Sequence, residues 1–286
     1  MKSKRIASHP GLFTFPFFPI ALLTMLSNTS LAADVFTGLG GTSASAYGIS
    51  ADGSTVIGAS TTGIAYRSVN GVLTSLGTLT GGTTSAALAA SADGSIIAGY
   101  STMTGSPYAQ AFRWQGGVMT GLGFLPGDTY SQATGISSNG SVVVGYSAVP
   151  IAGVQAFRWT GGVMTGLGWL PGDLRSYANG VSGDGSIVVG YSLHPGIGGS
   201  HAFRWTQATG MTALGYLPGA LSSTAYGIST DGQTIVGDSG SQAFRWNSGL
   251  MTGLGFLAGD TASRANAVSF NGGVIVGDSY PAAGTR

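Results

Sequence analysis

Ala111-Phe112-Arg113-Trp114-Gln115-Gly116-Gly117-Val118-Met119-Thr120-Gly121-Leu122-Gly123-Phe124-Leu125-Pro126-Gly127-Asp128 runs on into Gly135-Ile136-Ser137-Ser138-Asn139-Gly140-Ser141-Val142-Val143-Val144-Gly145-Tyr146-Ser147, and Ala156-Phe157-Arg158-Trp159 starts the same run again. A unit that returns every 40 to 47 residues belongs to a stacked or radial array, because one such unit cannot bury its own apolar face.

Each unit reads as four short strands. Strand A ends at an Asp-Gly or Asn-Gly pair: Asp52-Gly53, Asp93-Gly94, Asn139-Gly140, Asp184-Gly185, Asp231-Gly232 and Asn271-Gly272. Such pairs between apolar runs signal a tight hairpin in which both turn residues take positive φ. Strand B is a continuous apolar run, as in Val142-Val143-Val144 and Ile187-Val188-Val189. Apolar on both faces, it belongs inside a sheet packed between two neighbours. Strand C carries Arg67, Arg113, Arg158, Arg204 and Arg245, followed in four copies by Trp114, Trp159, Trp205 and Trp246; Ser68 takes that place in the first. Phe and Trp flank the Arg, so they share one face and the Arg points to the other. Strand D is Met-Thr-Gly-Leu-Gly or a close variant.

Spacing separates frame from loops. From the strand D Leu to the turn Asp or Asn is 17 residues in five copies: 76 to 93, 122 to 139, 167 to 184, 214 to 231 and 254 to 271. Only the B–C loop changes length. The expected fold is all-β: a β-propeller of about six four-stranded blades, the last incomplete, because the sixth hairpin runs into Tyr280-Pro281 with no Phe-Arg-Trp strand after it. An open β solenoid is the alternative. Val35–Leu39 repeats strand D and is expected to help close the ring beside the last hairpin.

Composition agrees. Glycine is 51 of 286 residues and charged residues are 7%, yet 43% of the chain is apolar, enough to bury a core. There is no Cys, so neither disulfides nor thiolate metal sites hold the fold. Residues 1–32 read as a signal peptide, with Lys2, Lys4 and Arg5 before an apolar stretch and cleavage after Ala32; residues 33–286 form the repeat domain. No basic patch points to nucleic acid.

The repeat resembles the HAF family of extracellular repeats. His201-Ala202-Phe203-Arg204-Trp205 shows its His-Ala-Phe start, and the Leu-Gly…Leu-Pro-Gly and Gly-Ile-Ser parts fit over about residues 35–280. The resemblance implies a bacterial protein that is secreted or held at the outer membrane or cell surface, of the kind found in autotransporter passengers. It implies no activity.

The repeated Arg residues read as contacts between blades, with anionic-glycan binding as the functional alternative. Asp128, Asp173 and Asp260 read as turn stops between units. His194 and His201 have no nearby Cys, Glu or second acid in the sequence, so no catalytic or metal residue and no cofactor is assigned. The leading expectation is a non-enzymatic binding, adhesion or passenger scaffold that meets a protein or glycan at an extracellular surface. A propeller hydrolase or lyase with a central-channel site is one alternative. A truncated passenger without independent function, self-associating through its last blade, is another.

Overall fold

The computed structural model describes residues 44–149, 153–196 and 199–281. The signal peptide with its cleavage at Ala32, the strand expected at Val35–Leu39, and residues 282–286 lie outside them. The described residues form strands and turns, with no helix.

Five antiparallel four-stranded units follow one another. They are β1 to β4 (Ala44–Ile49, Thr55–Ser60, Ala65–Val69, Val72–Gly77) and β5 to β8 (Ser85–Ala90, Ile96–Met103, Ser106–Gln115, Val118–Gly121). Next come β9 to β12 (Tyr130–Ile136, Val142–Val149, Gly153–Thr160, Val163–Gly166) and β13 to β16 (Arg175–Val181, Ile187–Leu193, Ser200–Thr206, Gly210–Ala213). The fifth is β17 to β20 (Ser223–Ile228, Thr234–Ser239, Gln242–Asn247, Leu250–Gly253). A sixth unit is the hairpin β21–β22 (Ala262–Val268, Ile275–Tyr280). The first strands of all six units line one axial cavity of about 450 Å³. That arrangement is radial and excludes the open solenoid.

The apolar B strands are the buried middle of each blade: Ile97, Val143, Val144, Val188, Val189, Ile235 and Val236 are fully buried. A glycine recurs in each of them because strand A bulges opposite it. A Cβ on Gly99, Gly145, Gly190 or Gly237 would lie 1.9 Å from the facing strand A carbonyl oxygen. The extra residue of the bulge turns toward the axis. Leu88, Thr134, Tyr226 and Asn266 occupy this place and line the cavity.

The A–B turns differ from expectation. Gly53, Gly94, Gly140, Gly185, Gly232 and Gly272 all have positive φ, but no Asp or Asn before them does. The loop is longer than a two-residue turn. Ser50 N–H donates to the Thr55 carbonyl at 2.8 Å and Gly53 N–H to the Ser50 carbonyl at 3.0 Å. Asp52 accepts from the Ser50 hydroxyl and the Ser54 amide, so its carboxylate organises the loop and its backbone stays in the ordinary region. These hydrogen bonds, from Ser91 first, hold the equivalent Asp93 carboxyl down at about 2. The two-residue turn with positive φ at both positions sits between C and D instead, at Asn70-Gly71, Gly116-Gly117, Gly161-Gly162 and Ser248-Gly249.

Neighbouring blades are joined by a repeated serine clasp. Ser176 Oγ accepts from the Ala156 amide of the preceding blade at 2.9 Å and donates to the Gly168 carbonyl at 2.7 Å. Ser85, Ser131, Ser223 and Ser263 do the same with Ala65, Ala111, Ala202 and Ala243. A second buried row, Ser101, Ser147, Ser192 and Ser239, accepts from the amides of Leu79, Leu125, Leu170 and Leu217. At the turn end, Ala51, Ala92, Ser138, Gly183 and Thr230 each donate their amide to the next blade's turn, ending on the Phe270 carbonyl. The first blade stands apart: Ala44 occupies the clasp position, six residues before Ser50.

Removing a clasp hydroxyl leaves a buried amide without an acceptor, which costs about 1–3 kcal/mol. Ser176→Ala is therefore expected to lower the denaturation midpoint clearly. Ala44→Ser, at an exposed position where no amide of the described residues lies to be received, is expected to leave it unchanged. Urea titrations of the two variants beside the parent chain check this contrast.

Candidate functional site

The strand ends away from the A–B turns carry a row of tyrosines. The residue after the strand B glycine is Tyr100, Tyr146 or Tyr191 in the second to fourth blades. Opposite them on strand A stand Ala86, Gln132 and Tyr177. Tyr130, at the start of β9, joins the group. The rings follow one another at centroid distances of 5.8 Å (Tyr130 to Tyr146), 5.0 Å (Tyr146 to Tyr177) and 4.8 Å (Tyr177 to Tyr191). All four are half-buried.

The row is polar at its tips. Tyr130 and Tyr146 both donate their hydroxyls to Gln132 Oε1, at 2.7 and 3.1 Å. Burial raises the Tyr146 and Tyr177 phenols and pushes Tyr191 up to about 12. They stay protonated throughout the physiological range; Tyr146 already gives its O–H to Gln132, and Tyr177 and Tyr191 can each give one hydrogen bond. Beside the row, Thr134 Oγ1 and Asn179 Nδ2 donate to the Ala178 and Ala225 carbonyls at 2.7 and 2.8 Å, tying inner strands together.

In the fifth and sixth blades the same positions become charged. Asp238 replaces the tyrosine and Arg264 faces Asp278 from strand A. Arg264 Nε lies 3.6 Å from Asp238, and its guanidinium sits over the Tyr226 ring at 5.1 Å. Burial raises the Asp238 carboxyl; burial and then Asp238 itself push the Tyr226 phenol up to about 12.

A second cluster corrects the reading of the histidines. Asp173 lies 2.9 Å from His201 Nδ1, although 28 residues separate them. The Asp173 side chain is fully buried, and its second carboxylate oxygen has no partner among the described residues. His201 meets the Tyr216 ring edge-on at 5.9 Å. His194 lines a neighbouring cavity of about 360 Å³ with Arg175, Leu193 and Pro195. Among the described residues no three His, Cys, Asp or Glu gather at one point.

The strand C residues face the neighbouring blade or pack inside. Arg113 Nε donates to the Gly140 carbonyl at 3.0 Å and Arg158 Nε to that of Gly185 at 3.1 Å, each in the next blade's turn. Arg67 lies over the Trp114 ring at 4.6 Å. Arg245 approaches Thr234 of its own blade at 3.5 Å, and Arg204 borders a shallow hollow with Asp184 and Trp205. Trp159, Trp205 and Trp246 are partly buried against the apolar clusters between blades, and Trp114 is buried in one. None of these residues joins the tyrosine row.

No protein-family model and no curated protein matches the chain. Solved structures do. A TolB-type protein of Agrobacterium tumefaciens is similar with a TM-score of 0.56 and 16% identity, over 84% of this chain and 91% of that one. TolB from Acinetobacter baumannii is similar at 0.50 and 15%, over 69% and 49%. A prolyl endopeptidase is similar at 0.52 and 12%, over 83% and 42%. The chain thus spans about half the length of the Acinetobacter protein and less of the endopeptidase. These likenesses show the fold, a β-propeller. They also correct the expectation of an adhesion or passenger scaffold. The solved structures this chain is similar to are TolB-type propellers and a propeller-bearing endopeptidase, not adhesion or passenger proteins.

The buried Asp173–His201 pair supports a stability test. Removing the imidazole leaves a buried carboxylate unpaired, so His201→Ala is expected to destabilise the fold by about 3 kcal/mol. Adding Asp173→Ala to it should recover part of that loss. A double-mutant cycle in urea reads the coupling.

Proposed function

We propose that the chain is an exported, TolB-like propeller that recognises a soluble, uncharged, hydroxyl-rich ligand, a short saccharide, on the tyrosine row of its second to fourth blades. The observation that carries this reading is the run Tyr130–Tyr146–Tyr177–Tyr191. Each ring pairs an apolar face with a polar tip, which suits a ligand with C–H faces and peripheral hydroxyls. Burial holds the phenols of Tyr146, Tyr177 and Tyr191 neutral, so they select by hydrogen bonding and shape, not by charge. The act is recognition, not turnover: the row supplies stacking planes and weak donors.

Export is part of the proposal. The basic, apolar and small-residue order of residues 1–32 fits a cleaved leader, and the HAF-like repeat fits a protein outside the cytoplasm. The charged group at Asp238 and Arg264 then bounds the row on one side and favours a ligand that ends before it.

Calorimetric titration with a panel of neutral, acidic and basic oligosaccharides tests this reading. Binding of a neutral member is expected, weakened about tenfold by Tyr177→Ala and only a few-fold by Tyr177→Phe, which loses one hydrogen bond. Equal binding by the parent and Tyr177→Ala, or binding confined to charged members, would overturn it.

A further inference from the structure

The four tyrosine tips are not chemically alike. Tyr130 and Tyr146 both give their O–H to Gln132 Oε1, at 2.7 and 3.1 Å. A phenol whose only proton is committed meets a ligand with lone pairs alone. Gln132 is itself only half-buried, and its Nε2 amide has no partner among the described residues. A carboxamide nitrogen can give two hydrogen bonds. This end of the row therefore sets two phenol acceptors beside free N–H donors. Tyr177 and Tyr191 keep their protons, because no group of the described residues accepts from them.

The arrangement is peculiar to the third blade. Gln132 faces Tyr146 across the strands, where the second, fourth, fifth and sixth blades have Ala86, Tyr177, Thr224 and Arg264. Only here does a carboxamide stand at this place. Tyr130 lies two residues before it and on the same face of β9, so both phenols reach one oxygen.

This end favours one kind of neutral group over another. A sugar hydroxyl gives and accepts at a single oxygen. A secondary amide gives at nitrogen and accepts at oxygen. The Gln132 amide and the phenol oxygens are likewise a donor and acceptors on separate atoms, joined through Oε1. An acetamido group can take the Gln132 N–H on its carbonyl and give its own N–H to a phenol oxygen at the same time. The Tyr177 ring, which meets Tyr146 edge-on at 5.0 Å, adds an apolar surface for the methyl group.

We infer that the third-blade end of the row is an acetamido subsite, which makes the ligand an N-acetylated, otherwise neutral saccharide; this rests on the saccharide reading above. Gln132 has two tasks there. It positions Tyr130 and Tyr146 by taking their protons, and it contacts the ligand through Nε2.

Calorimetric titration of the full chain with two trimers of the same linkage, one of N-acetylglucosamine and one of glucose, tests this. They differ only in that an acetamido group replaces one hydroxyl on each ring. The acetylated trimer is expected to bind about tenfold tighter. Gln132→Glu keeps an acceptor for both phenols and removes the N–H donors. It should bring the acetylated trimer down to the level of the glucose trimer without shifting Tm. Gln132→Ala, the residue type that Ala86 supplies at this place in the second blade, frees both phenol protons and should abolish the preference as well. The inference is overturned, and the saccharide reading kept, by equal or tighter binding of the glucose trimer or by a preference that survives Gln132→Glu. Binding of neither trimer overturns it too, and the panel of neutral oligosaccharides then decides whether the saccharide reading falls with it.

Discussion

The buried serine hydroxyl between blades is the interaction on which the rest depends. A propeller must bring the edges of separate sheets together, and those edges carry backbone groups that cannot be left unpaired inside. One hydroxyl can accept one hydrogen bond and give another. Each clasp serine uses both capacities, on an alanine amide and a glycine carbonyl of the blade before it. It therefore fixes the offset between blades as well as their contact, and the Phe and Leu side chains that fill the joint can then be nearly the same in each copy.

With the joints fixed, the inner strands have little freedom. The bulge demands glycine opposite it in strand B and turns one strand A residue toward the axis. The two residues paired just beyond the bulge set the chemistry of that end. Where both are large and aromatic, as at Tyr177 and Tyr191, a stacked surface results. Where they are Arg264 and Asp278, a charged edge results. The chemistry of this end is thus written in two positions per blade, while the clasp serines and the buried strand C phenylalanines recur from the second blade to the fifth.

Much of the frame was legible in the residues. Constant 17-residue spacing, six Asp-Gly or Asn-Gly turns and uninterrupted Val and Ile runs carry the blade order and the buried middle strand. The turn geometry was not, because Asp-Gly reads as a two-residue hairpin and nothing local shows that Ser50 and Ser54 will engage Asp52. The Asp173–His201 pair was hidden by the 28 residues between its members, which only the closing of one blade on the next brings together. The tyrosine row was half visible. Tyr100, Tyr146 and Tyr191 recur in register, but Tyr130 and Tyr177 are not periodic and join them only through pairing across strands. The clasp had a signal, a serine six residues before the turn serine in five of six units, with Ala44 as the exception.

The central claim is that five clasped joints make a stable arc whose ends, the first and sixth blades, are held less. Native-state hydrogen exchange, residue by residue, measures this directly. The account predicts that the amides of Ala111, Ala156 and Ala202 exchange only through global unfolding, while those of β1 and β22 exchange through openings of much lower free energy. Uniform protection across all six blades, β22 included, would contradict it.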